Sequence, residues 1–248
     1  PKAAIHGLFR VDVERLFAVN GEDEIMIATR HTNSVVRPGD KLAGMRVIPL
    51  VVAEEMVRSA EAAAGDRPLL ELLPFVRTTA AVIATGNEVF SGRIQDQFTP
   101  VLVDKLAALG VSVRSQVKVP DDRARIVAAV QAAHRSGADV ILCTGGMSVD
   151  PDDQTPGAIR AAGVDVVSYG APVLPGAMFL LGYFPDGTPV MGLPGCVMYA
   201  KATIFDLILP RVLCNVPVTR ADLARLGHGG LCLGCGECRY PVCPFGKE

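Results

Sequence analysis

Residues 139–153, Asp-Val-Ile-Leu-Cys-Thr-Gly-Gly-Met-Ser-Val-Asp-Pro-Asp-Asp, are the stretch whose reading decides the fold. Val140, Ile141 and Leu142 form a short apolar run of the kind that is covered on both faces of a parallel sheet. Gly145 and Gly146 follow just past the carboxyl end of that strand, where missing side chains let the backbone approach an anion closely. Open α/β sheets take their ligands at such strand ends. Downstream, Thr155 and Pro156 supply an N-cap and a first-turn proline, so Ala158-Ile159-Arg160 opens a helix whose amino end adds positive potential. A phosphate-bearing ligand suits this place.

Strand and helix patterns alternate around this segment. Strands are expected at 80–84, 111–119, 139–144, 164–169, 178–184 and 189–193, and helices at 98–109, 122–135 and 198–213. Strand, crossover helix and strand in series imply an α/β fold, a three-layer α/β/α domain over residues 79–214 with a mostly parallel sheet. Residues 1–78 read as a small β-rich α+β unit with strands at 24–29 and 46–52, turns at Asn20-Gly21 and Pro38-Gly39-Asp40, and a helix at 53–64. Residues 215–248 form a short tail rich in glycine and cysteine.

Composition narrows the function classes. Of 248 residues 50% are hydrophobic and 20% charged, with a mean hydropathy of +0.34, enough apolar material for a full core. The longest apolar stretch, 172–184, is interrupted by Pro175 and Gly176 and falls short of the roughly 20 residues that span a bilayer. Lys2, Arg10 and Asp12 leave no signal-peptide core, so a cytoplasmic location is expected. Pro1 in place of Met is consistent with a fragment or a processed product. A net charge of −2 without a dense basic run lacks the footprint of a nucleic-acid binder.

Three strand ends lead into polar loops. The first enters Thr85-Gly86-Asn87-Glu88-Val89 and Gly92-Arg93-Ile94-Gln95-Asp96, the second Val119-Pro120-Asp121-Asp122, and the third Thr144-Gly145-Gly146-Met147-Ser148 with Asp153 downstream. In a parallel sheet these carboxylate-bearing loops converge on one rim. Leu174-Pro175-Gly176 and Gly192-Leu193-Pro194-Gly195 add rigid proline-glycine turns to the same cleft. As an ordered set, the five motifs resemble the molybdopterin-binding domain family, which includes the molybdopterin adenylyltransferases and the molybdotransferase that inserts the metal.

The resemblance implies a site. Asp121 and Asp153 match carboxylates at the family's pterin and nucleotide site, Glu88 the glutamate of the molybdotransferase pattern Thr-Gly-Asp-Glu, and Asp96 the aspartate after the first loop. Thr85, Gly86, Asn87, Thr144, Gly145, Gly146, Met147, Ser148, Pro175, Gly176, Pro194, Gly195 and Cys196 complete the ligand-contacting set. Adenylyl transfer from ATP requires Mg²⁺, which takes hard oxygen ligands from one or two carboxylates. The residues by themselves leave plainer readings open: Asp121 as a helix N-cap, and Asp150 and Asp152 as turn formers. His31 and His134 lack a titratable partner nearby in sequence and are read as surface or turn residues.

The chain also departs from the family. Gln97 and Phe98 replace small polar residues, Asp150 stands at a common glycine, and Cys196 follows Leu-Pro-Gly in place of Asn or Ser. The large amino-terminal domain of the molybdotransferase is not recognisable in residues 1–78. The resemblance therefore implies a molybdopterin-binding protein of molybdenum cofactor maturation, acting as a Mg²⁺-dependent adenylyl- or molybdate-transferring enzyme or, alternatively, as a non-catalytic carrier or sensor that docks a molybdoenzyme. A further alternative is a nucleotide pyrophosphatase of the competence-damage protein family, whose first loop also resembles Thr-Gly-Asn-Glu. A homo-oligomer, dimer or trimer, is expected.

The tail carries a second motif, Cys232-Leu-Gly-Cys235-Gly-Glu-Cys238-Arg-Tyr-Pro-Val-Cys243-Pro244. Four thiols spaced C-x2-C-x2-C-x4-C can close around one metal centre. The compact spacing and trailing proline resemble a ferredoxin-type run for an iron-sulfur cluster, with zinc as the alternative. Cys143, inside the apolar third strand, is expected to be a buried core thiol.

Overall fold

The computed structural model describes residues 1–147 and 153–247. The chain divides into two compact units, Pro1–Phe75 and Val76–Glu248.

In the first unit, β1 (Gly7–Val11), α1 (Val13–Asn20), β2 (Ile25–Thr29), β3 (Ser34–Val36), β4 (Ala43–Val47), α2 (Glu54–Ala64) and β5 (Leu70–Pro74) follow in order. They make an antiparallel sheet, β3-β1-β5, and a two-stranded β2-β4 ribbon. Phe9, Val36 and Leu42 are buried in one cluster, and Val19, Ile25 and Ala60 in another. Arg15 ties α1 to the end of α2: its Nη1 donates to the Ala64 carbonyl and its Nη2 to the Pro68 carbonyl. The strand expected at 46–52 ends at Val47, because its partner β2 begins opposite at Ile25 and Pro49 offers no N–H to a ladder.

The second unit carries the α/β/α fold. Its elements are β6 (Thr79–Thr85), α3 (Asn87–Phe90), α4 (Phe98–Ala107), β7 (Ser112–Val119), α5 (Arg123–Arg135), β8 (Val140–Thr144), α6 (Thr155–Ala161), β9 (Asp165–Tyr169), β10 (Leu180–Tyr183), β11 (Pro189–Leu193), α7 (Ile204–Leu213) and α8 (Arg220–Arg225). The sheet order is β7-β6-β8-β11-β10-β9. The first four strands run parallel, and β10 is antiparallel to both β11 and β9. Every residue of β6 and β8 is buried, as central strands covered on both faces require. Ala81, Ile83, Ile141 and Cys143 pack on Ile126 and Val130 of α5 and Ile159 of α6. Alternation turns Val82 and Leu142 to the opposite face, the side on which α4 buries Leu102 and Leu106.

Some boundaries differ from the expected ones. The closing helix begins at Ile204 rather than 198, because Thr203 and Asp206 form a capping box there. A 3-10 turn, Gly195–Met198, precedes it. Thr155 is not the cap of α6: that position is Gln154, and the Thr155 hydroxyl turns inward. His134 does have a partner, Asp186, at 2.7 Å, and its ring stacks on Phe184 at 3.9 Å.

Residues 215–247 belong to the second unit. The Cys232 amide donates to the Leu174 carbonyl at 2.8 Å, the Tyr240 hydroxyl to the Asp206 carbonyl at 3.1 Å, and Phe245 is buried. Among the described residues, no helix is long and apolar enough to cross a membrane.

Candidate functional site

Parallel register brings the loops together. Thr85 lies beside Val119, Ala84 beside Thr144, and Thr144 beside Leu193, so the loops after β6, β7, β8 and β11 leave from one rim. The buried Thr85 hydroxyl donates to the Thr144 carbonyl and pairs with the Thr155 hydroxyl, both at 3.0 Å. This clasp holds the first and third loops against each other. Gly145 and Gly146 have φ of 84° and 54°. A Cβ on Gly145 would strike the Thr85 carbonyl, and one on Gly146 would sit 2.8 Å from the Thr155 hydroxyl. Both positions need glycine for conformation and for space.

Asp121 stands over this turn. The cap of α5 is Asp122, which accepts from the Arg125 amide at 2.9 Å, so the capping reading of Asp121 is overturned and its carboxylate is spared that role. Asn87 accepts the Asp121 backbone N–H at 3.2 Å. Asp121 Oδ1 is buried and has no hydrogen-bond partner among the described residues. Burial, then the charge of Asp153, raise the Asp121 pKa above its ordinary 3.8, against a backbone hydrogen bond from Gln154. Two carboxylates thus share one place. Burial and the same Asp153 charge also raise the Tyr169 hydroxyl, which puts the end of β9 within its field.

Beside the turn, a cleft of about 270 Å³ opens between the first loop and the strand ends. Ala84, Val89, Ile94, Phe98 and Met198 give it apolar walls, and Thr85, Thr144, Gln95, Asp96 and Gln97 its polar groups. Asp96 accepts from the Phe98 and Thr99 amides, both at 3.0 Å, and from the Thr99 hydroxyl at 2.5 Å. It therefore anchors the start of α4 while lining the cleft.

The other expected residues fall in different places. Gly86 donates its N–H to the Val119 carbonyl and helps close the first loop onto the second. Glu88 is exposed in the first turn of α3 and does not line the cleft. Met147 is buried, with its thioether over Gly192 in the core. Pro194 is buried and Gly195 exposed, but the residue of their turn that lines the cleft is Met198 rather than the half-buried Cys196. Gly176 packs beneath Ile204, and the Pro175 carbonyl accepts from the Ile204 amide, so this turn braces α7. Ser148, Asp150 and Asp152 lie outside the described residues. Cys143 is fully buried and its thiol is pushed up to about 12. In the tail, Cys235 and Cys238 are exposed and Cys232 and Cys243 half-buried. Among the described residues no three His, Cys, Asp or Glu side chains lie close enough to hold one metal ion.

Comparison with known proteins matches residues 81–213, more than half of the chain, to the family described as "Probable molybdopterin binding domain". A molybdopterin molybdenumtransferase of Synechococcus elongatus is 27% identical over 240 residues, covering 89% of this chain and 57% of the relative. That match is too long to lie within residues 79–248, so it reaches into the first unit. A CinA-like protein of Desulfosudis oleivorans is 42% identical over 83 residues, 34% of this chain and 20% of the relative. The crystal structure of the tungsten cofactor synthesizing protein MoaB from Pyrococcus furiosus aligns with a TM-score of 0.45 and 23% identity over 55% of this chain and 92% of that one. The chain spans less than two thirds of the length of these curated relatives. With its family model lying over the sheet that assembles the rim, the chain belongs to the molybdopterin-binding domain family, with homologues among the proteins of molybdenum cofactor biosynthesis.

Proposed function

We propose that the rim binds molybdopterin and that the protein acts on it as a transferase of the molybdotransferase or adenylyltransferase type. The observation that carries this reading is the buried Asp121 Oδ1, without a hydrogen-bond partner among the described residues, beside a second carboxylate. A native structure keeps such an atom at a cost unless a ligand completes it. Two adjacent carboxylates offer the hard oxygens a divalent cation takes, so Asp121 and Asp153 fit Mg²⁺. When bound with ATP, Mg²⁺ supplies charge neutralisation on the phosphates. The backbone of Gly145 and Gly146, bare of side chains, holds phosphate oxygens, and the Thr85–Thr155 clasp fixes that turn against the cleft. The extent of the molybdenumtransferase match supports the transferase reading over a free-standing binding module.

A second reading is a non-catalytic carrier that holds finished cofactor for a molybdoenzyme, which the altered cleft residues Gln97 and Phe98 favour. The pyrophosphatase alternative has the CinA-like match in its support. Incubation with molybdopterin, ATP and Mg²⁺ separates the three. Adenylylated pterin with pyrophosphate marks an adenylyltransferase, molybdate uptake from adenylylated pterin a molybdotransferase, and retention without product the carrier. Hydrolysis of a free nucleotide diphosphate linkage marks the pyrophosphatase. A protein that retains no pterin at all contradicts the proposal. Homo-oligomerisation and a cytoplasmic location accompany the transferase reading.

For Cys232, Cys235, Cys238 and Cys243, ligation of an iron-sulfur cluster or zinc rests on spacing. Their present arrangement does not fit one centre, so no step passes through them. Metal and sulfide analysis of anaerobically purified protein tests the spacing: brown protein with iron and sulfide supports a cluster, colourless protein with zinc supports the alternative, and metal-free protein removes both.

A further inference from the structure

We propose that the outer edge of β4, in the first unit, is a self-pairing surface on which a second copy of this chain lays its own β4, antiparallel and centred on Met45. The inference gives the expected homo-oligomer a surface and stands apart from what the rim binds.

The β2-β4 ribbon has two outer edges, and the chain treats them differently. The Ile48 amide donates to the Glu24 carbonyl at one end of the ribbon and the Arg30 amide to the Leu42 carbonyl at the other, both at 2.9 Å. By alternation, Met26 and Ala28 bond Arg46 and Gly44, while Ile25, Ile27 and Thr29 on β2, and Ala43, Met45 and Val47 on β4, turn their backbone groups outward. On the β2 edge Asn20 covers the middle of that row: its side chain donates to the Ile27 carbonyl at 2.9 Å and accepts the Ile27 amide at 2.7 Å. The β4 edge has no such cover. Among the described residues no strand pairs with it, and no side chain bonds the backbone of Ala43, Met45 or Val47. Nor does β4 carry the proline, lysine or register shift that keeps exposed edges apart. A two-stranded ribbon is marginal alone, and further strands complete it.

The register identifies the occupant. Antiparallel pairing about Met45 sets Met45 against the partner's Met45, Ala43 against the partner's Val47 and Gly44 against the partner's Arg46, so every outward N–H and C=O of β4 gains a partner. Sliding one strand by a pairing step in one direction sets Arg46 against the partner's Arg46, like charges in the closer, non-bonded pairing. In the other direction Val47 falls beyond the partner's β4. Met45 and Val47 share the face on which Ile25 and Ile27 pack with Val19 and Ala60. Met45 is nevertheless 69% exposed and Val47 37%. The added strand extends that apolar face from both sides. Ile48, Leu50 and Val51, exposed just past the ladder, supply apolar area that a short ladder lacks.

Sedimentation equilibrium of the full chain across the micromolar range, on wild type, Met45→Lys, Met45→Glu and an equimolar mixture of the two variants, tests the assignment. Wild type is expected to dimerise, and each variant alone to dissociate on the order of tenfold more readily, because the register sets its new charge against itself. The mixture should regain the dimer, since lysine then faces glutamate. Met45 is exposed, and recovery in the mixture shows that both variants are folded. A wild-type monomer, a dimer that persists in both single variants, or a mixture that stays dissociated overturns the proposal; in the first case the edge is left to an extended segment of another protein. Met45 is no part of the rim, so pterin binding is read separately, and its absence from wild type contradicts the molybdopterin reading without touching this one.

Discussion

The two rims of the second unit's sheet treat their carboxylates in opposite ways. At the amino-end rim, Asp139 Oδ2 accepts from the Thr78 amide at 2.9 Å, the Thr79 amide at 2.9 Å and the Thr79 hydroxyl at 2.8 Å. Burial opposes its ionisation, but the Thr79 and Thr78 bonds and the Arg77 charge prevail and lower its pKa. Asp186, on the β10–β11 turn, is held at about 2 chiefly by its bond to His134. At the carboxyl-end rim, Asp121 keeps a buried oxygen with no hydrogen-bond partner among the described residues, and its pKa is raised. The first rim spends its carboxylates on joining β6 to β8 and the turn to α5. At the second, Asp96 anchors the start of α4, and Asp121 is the carboxylate left for the proposed ligand.

That contrast can be broken by substitution. The largest stability effect is expected for Asp139→Ala, which removes three hydrogen bonds to a charged group and should cost about 1.5–3 kcal/mol in chemical denaturation, with pterin binding unchanged. Because the folded pKa of Asp139 lies below 3.8, its contribution is complete above that pH and fades as pH falls below it. Gly146→Ala should cost roughly 1–2 kcal/mol, since alanine must adopt φ of 54° and its Cβ meets the Thr155 hydroxyl. Unlike Asp139→Ala it should also weaken pterin binding, and unaltered binding would detach the glycine turn from the site.

Asp121→Asn should stabilise the free protein, by about 0.5–2 kcal/mol at neutral pH. The sign follows from linkage. A carboxyl with a raised folded pKa penalises the folded state fully above that pKa, and the penalty disappears below 3.8. The gain over wild type should therefore vanish in acid, and a loss of stability at neutral pH would place Asp121 with the structural carboxylates. Asp186→Asn, at an exposed hydrogen-bonded pair with His134, should cost only about 0.2–1 kcal/mol at pH 7. That cost should shrink as the medium is acidified from pH 3.8 toward about 2.

The sheet could be read from the chain because its central strands announce themselves. Thr79–Thr85 and Val140–Thr144 are continuous apolar runs that end in glycines, and the helices between them are amphipathic. In the first unit the same logic fails. The strands Gly7–Val11 and Leu70–Pro74 are short and interrupted by Arg10 and Glu71, and Ser34–Val36 has only three residues, so pairing partners rather than pattern define them. At the site, the motif positions gave the rim but not the division of labour. Only the observed bond from Arg125 distinguishes the cap Asp122 from its neighbour Asp121. Met147 and Gly176 stand at family positions and are packed into the fold: the Met147 thioether fills the space over Gly192, and Ile204 fills the space beside Gly176. Phe98 and Gln97 stood out as departures, and the structure gives them a place in the cleft wall. The tail shows the limit of a linear motif: its thiols have the spacing for a centre, but no strand or helix end brings them to one point.

The most direct test is the equilibrium affinity for molybdopterin of wild type, Asp121→Ala, Asp153→Ala and Asp139→Ala, measured with Mg²⁺ present. Losses on the order of a hundredfold in the first two variants, from removing charge at a desolvated contact, with wild-type affinity in Asp139→Ala, are the expected result. Wild-type affinity in both Asp121→Ala and Asp153→Ala would contradict the assignment of the site to this rim.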